Sequence, residues 1–75
     1  MKVTVKLIGG FVHTVGFSEQ DLELAPGSTV DHLLAAIKIS RERPMIVSRD
    51  GWVLRPEDAL REGDRVVIAP VFSGG

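Results

Sequence analysis

The stretch "APGSTVDHLLAAIKIS", residues 25–40, is where the reading of the fold begins. Pro26 and Gly27 make a turn, and the apolar side chains Val30, Leu33, Leu34 and Ile37 follow at the i, i+3, i+4, i+7 spacing of one helix face. Thr29 is a good N-cap, because its hydroxyl can take up an unpaired first-turn N–H, and Ser28 could serve one residue earlier. Asp31 adds negative charge where the helix dipole favours it, and Lys38 adds a cation near the other end. A single apolar stripe on a short helix needs a sheet to cover it.

The flanking segments supply that sheet. Residues 2–8 alternate, with Val3, Val5 and Leu7 on one face against Lys2, Thr4 and Lys6, as in a half-buried strand. Gly9 and Gly10 punctuate it, and a loop around "FVHTVG" leads to a second alternating run, residues 18–24, with Leu22 and Leu24 turned inward. After the helix, Pro44 closes a loop, and "MIVSRDGWVL" reads as two short strands joined at Asp50–Gly51. The polar connection "RPEDALREGD" has an anchor at Leu60 and a turn at Gly63–Asp64. The last strand, residues 65–69, is continuously apolar after Arg65 and is expected to be buried on both faces. Pro70 ends its hydrogen-bonding capacity, and "VFSGG" is expected to leave the globule.

Composition narrows the function. Seventy-five residues make one domain, which on size scaling buries only about 60% of the surface its unfolded chain exposes. So little concave surface argues for a binding or carrier module rather than a self-contained enzyme. The net charge is −1, from nine basic and ten acidic side chains. With no basic stripe, neither a nucleic acid nor an acidic membrane is expected as partner. The absence of cysteine removes disulfides, thiol catalysis and cysteine metal sites together. No signal peptide or membrane-spanning run is read, so the expected location is cytoplasmic.

The hairpin, "GSTVDHLLAAI", "EGDRVVIAP" and the final "GG", in this order, resemble the MoaD/ThiS family of ubiquitin-like sulfur carriers from residue 2 to residue 75. The resemblance implies an α+β β-grasp fold, a mixed sheet of four or five strands with one main helix packed across it. With the stop at Pro70, the expected division is a β-grasp domain, residues 1–70, and a flexible tail, residues 71–75. The resemblance also implies that the Gly75 carboxylate is adenylated by an E1-like adenylyltransferase of the MoeB/ThiF type, using ATP and magnesium that the partner binds, and then becomes a thiocarboxylate. The acceptor would be a synthase subunit, MoaE-like or a thiazole synthase. Pro70 in "APVFSGG" is similar to the ending of the molybdopterin branch, which is the expectation. Val71–Phe72–Ser73 is as similar to the thiazole branch, and a protein modifier shares the same first step.

That chemistry accounts for the tail. Glycine at positions 74 and 75 can thread a narrow channel, and five residues beyond Pro70 reach about 17 Å when extended. Val71, Phe72 and Ser73 would contact the partner along the way. Gly9–Gly10, by contrast, is a diglycine that reads as a turn. His13 and His32 have no second ligand at metal spacing, and His32 is expected on the solvated flank of the helix. Trp52 is either a recognition aromatic or an edge residue covering the core. Arg49, Arg55, Arg61 and Arg65 could dock on an acidic groove, or form a solvated surface balanced by nearby carboxylates. No nucleophile–base pair and no phosphate-binding glycine loop is present, so an enzyme is not expected. A pure interaction module, with a dispensable diglycine, is the non-carrier alternative.

Overall fold

The computed structural model describes residues 1–40, 42 and 44–71. Strand β1 (Lys2–Leu7) begins the chain, and its alternation becomes its burial, with Val3, Val5 and Leu7 sealed and Lys2 and Lys6 out. It is followed by α1 (Phe11–Val15), β2 (Glu19–Glu23), α2 (Val30–Ala36), β3 (Met45–Arg49), β4 (Trp52–Val53) and β5 (Arg65–Pro70). The sheet order is β2-β1-β5-β3-β4. Strand β5 runs parallel to β1 and antiparallel to β3, so the last strand made is the central one. One helix over this mixed sheet is the β-grasp arrangement.

Helix α2 has only seven residues, too few to stand alone, and it is held by what surrounds it. Thr29 is the N-cap, and His32 completes a capping box: the Thr29 N–H donates to His32 Nδ1 at 2.9 Å, while the His32 N–H donates to Thr29 Oγ1 at 3.4 Å. Ser28 is not the cap; it is buried, with its hydroxyl donating to the Ala25 carbonyl at 2.7 Å. The connection before β5 does more than anchor Leu60. Its carbonyls at Asp58 and Pro56 accept the N–H groups of Val30 and Asp31, both at 3.0 Å, so the first turn of α2 is satisfied from outside.

The other end of α2 is closed by its main chain, with Lys38 near it as expected. Lys38 lies past the helix in the left-handed region, at φ 62°, and the Ile39 N–H reaches back to the Leu34 carbonyl at 3.0 Å. This closing turn directs Ile39 into the core, the apolar contact that accompanies such ends. The core joins Val3, Val5 and Leu7 to Val66, Ile68 and Val47 across the sheet, and to Val30, Leu33, Leu34 and Ile37 from above. Each such side chain contributes about 1.5–3 kcal/mol by leaving water.

Two further expectations are corrected. The loop around "FVHTVG" is the short helix α1, which plugs one end of the core with Phe11, 2% exposed. Strand β5 is sealed on one face only: Val66 and Ile68 are buried, whereas Val67 and Ala69 are half-exposed on the other side. The Asp50–Gly51 hairpin forms as read, with both residues at positive φ (53° and 81°) as its tight turn requires.

Candidate functional site

The site is built where β5 ends. On its β1 side the last hydrogen bond is from the Ile8 N–H to the Ile68 carbonyl, 3.0 Å; Pro70 has no N–H with which to extend the ladder. Gly9 sits directly over the proline ring at φ 66°, and a Cβ there would meet Pro70 Cγ at 3.1 Å. On the β3 side pairing continues one residue further, with the Val71 N–H donating to the Pro44 carbonyl at 3.3 Å. The last described residue, Val71, is therefore held at the end of the sheet by Pro44, next to the Gly9–Pro70 contact. Of the five tail residues singled out from sequence, Val71 is described and 44% exposed. Phe72, Ser73, Gly74 and Gly75 lie outside the described residues.

The face of the sheet turned away from α2 is divided. Toward β2 it is charged: the Thr4 hydroxyl donates to Asp21 at 2.6 Å, Lys2 pairs with Asp21 at 3.3 Å, and Arg65 pairs with Glu19 at 3.5 Å. The Thr4 hydrogen bond, with the Lys2 ammonium beside it, holds the Asp21 carboxyl below its ordinary value. Toward β3 and β4 the same face is apolar, carrying Val67, Ala69, Ile46 and Val53, with Ile8 beyond the end of β1. Ile8 and Ile46 are each 44% exposed and Val53 69%. This apolar half borders the end of β5 at Pro70 and Val71.

Sequence reasoning missed that surface, although it was signalled. Ile8 falls on the lysine face of β1, and Val67 and Ala69 fall opposite Val66 and Ile68 in β5. Trp52 is 78% exposed, so it does not cover the core. The arginines do not act together: Arg49 is bound to Asp64 at 2.7 Å and to the Ala59 carbonyl at 3.4 Å, tying the hairpin to the following connection. Arg55 pairs loosely with Glu57 at 3.8 Å, and the Arg61 main chain donates to Asp64 at 2.8 Å. His13 is exposed on α1, and His32 is engaged in the capping box. Among the described residues no cluster could hold a metal ion, and no helix is long and apolar enough to cross a membrane.

Comparison with known proteins bears on this geometry. The sequence profile of the ThiS family matches residues 5–75. A molybdopterin synthase sulfur carrier subunit of Chlamydomonas reinhardtii is 30% identical over 83 aligned residues, covering all of both chains. Small archaeal modifier protein SAMP1 of Haloferax volcanii superposes with a TM-score of 0.79 at 19% identity, over all of both chains. A Pyrococcus furiosus protein assigned as molybdopterin converting factor subunit 1 gives 0.83 at 24% identity, over 96% of this chain and 99% of its own.

Proposed function

This chain belongs to the ThiS family, and we propose that it is a sulfur carrier whose Gly75 carboxylate is activated and converted to a thiocarboxylate. It is a co-substrate rather than a catalyst, a role in keeping with its similarity to a sulfur carrier subunit. The observation that carries the reading is that the family match runs through Gly74 and Gly75 to the end of the sequence. The central strand supports it by ending, at Val71, beside an apolar surface.

The chemistry follows from the group presented. A carboxylate resists nucleophiles until its oxygen becomes a good leaving group. The Gly75 carboxylate attacks the α-phosphorus of ATP and releases pyrophosphate; a sulfur nucleophile then adds to the acyl carbon and expels AMP. ATP and magnesium belong to the E1-like partner. The fold's contribution is delivery: Val71, Phe72 and Ser73 line the path, and the small Gly74 passes the constriction. The surface of Ile8, Ile46, Val53, Val67 and Ala69 seats the partner. Molybdopterin synthesis, in the cytoplasm, is the pathway the full-length relative favours.

Incubated with the E1-like enzyme of its own genome, magnesium-ATP and a sulfur donor, the intact protein is expected to exchange one oxygen for one sulfur by mass. Removing Gly75 is expected to abolish the gain and leave the fold unchanged, since a terminal residue outside the core adds almost nothing to stability. A variant lacking Gly75 that still supports its pathway would leave a pure interaction module in the carrier's place.

A further inference from the structure

The two edges of the sheet are finished differently. Strand β2 exposes Glu19, Asp21 and Glu23 along its length, charges of the kind that discourage another strand from adding. At the opposite edge β4 has only two residues and covers Ser48 and Arg49. The pairing of Val71 with Pro44 and of Ala69 with Ile46 turns those main-chain groups of β3 toward β5. Met45 and Val47 face the other way. The Val47 carbonyl accepts the Leu54 N–H at 2.7 Å, but the N–H and carbonyl of Met45 have no hydrogen-bond partner among the described residues.

Beside this stretch runs a groove of about 370 Å³ between α2 and the sheet edge, lined by Val30, Leu34, Met45, Val47, Leu54 and Pro56. Glu42 and Pro44 line it as well, so one charged side chain stands among apolar ones. Ile46 and Val53 also border it, and both belong to the apolar face at the end of β5, so groove and face are continuous around the edge.

We propose that Met45 and this groove receive an extended apolar segment of the activating enzyme, which adds beside β3 in line with β4. The inference rests on the carrier reading, which puts that enzyme on the adjoining face. A donor and acceptor on one strand residue without a partner among the described residues are matched by another extended backbone, while alternate side chains of the added strand drop into the groove. A second copy of the chain is a poorer occupant. Two such edges, meeting only around Met45, would share few hydrogen bonds and fall well short of the roughly 1,200 Å² of buried surface that stable association needs.

The test is hydrogen–deuterium exchange at the Met45 amide of the full chain, free and saturated with the activating enzyme without ATP. Exchange is expected to slow at least about tenfold in the complex, and Met45→Pro, which removes that donor, to weaken binding about tenfold. Should Met45→Pro unfold the domain, exchange in the native protein decides alone. A complex that forms while Met45 exchanges at its free rate overturns this inference and leaves the carrier reading standing. Protection that appears without the enzyme and grows with protein concentration overturns it in favour of self-pairing. Failure of any complex to form, with no thiocarboxylate made, overturns both readings.

Discussion

Gly9 and Gly10 are adjacent, chemically identical and differently constrained. Gly9 holds φ 66° and lies against Pro70, where a methyl group would approach the ring to 3.1 Å; at Gly10, in right-handed helical geometry before α1, an added Cβ meets nothing within 4 Å. Gly9→Ala is therefore expected to cost about 1–2 kcal/mol, and Gly10→Ala to be neutral or mildly stabilising, by up to about 1 kcal/mol, through the unfolded chain. Denaturant unfolding of the two variants checks this, and equal effects would show that Gly9 does not depend on its conformation. The sequence shows a glycine pair and a turn. Which of the two is obligatory depends on Pro70, some sixty positions away in the chain.

Helix α2 was the most legible element, because its stripe and its cap are local. Val30, Leu33, Leu34 and Ile37 are all buried, and Thr29 caps the first turn. Leu34→Ala is expected to cost about 2–5 kcal/mol, a large part of what so small a domain has to lose; a loss under half a kcal/mol in urea denaturation would mean the stripe does not pack. The end of the helix was less legible. Lys38 stands near this end as read, but in a left-handed conformation that glycine adopts with less strain, which no local pattern announces. Burial of Ile39 determines that outcome: one more helical residue would leave Ile39 out of the core. In α1 the apolar residues are too few for a periodic signal, and a five-residue helix forms because Phe11 fills the end of the core.

At the scale of the molecule, the functional reading joins a tail to the surface that it leaves. Ile46→Lys, on the half-exposed apolar face, is expected to change stability by no more than about 0.5 kcal/mol. It is also expected to weaken binding to the activating enzyme about tenfold or more, as burial of an unpaired cation in a contact would require. Calorimetric titration checks the second effect and thermal unfolding the first. Undiminished binding would move the partner off this face. The fold itself bears out the resemblance, and on the β3 side β5 keeps its pairing through Val71, one residue beyond the stop read at Pro70.

The sequence by itself determined the elements whose causes are near neighbours: the alternating strands, the capped helix stripe, the Asp50–Gly51 turn, and the end of the β1–β5 ladder at Pro70. These follow from side-chain period and from the backbone angles that single residues allow. Only the tertiary structure decided that Val67, Ala69 and Ile46 form a surface rather than a second core, because an apolar run reads the same whether or not another layer covers it. It also decided that the chain around residues 56–60 would satisfy the first turn of α2, and that Met45 would face away from β5 at an edge, with no main-chain partner among the described residues. Those outcomes depend on pairings such as Val5 with Val66 and Thr29 with Ala59, between segments that meet only when the chain has folded.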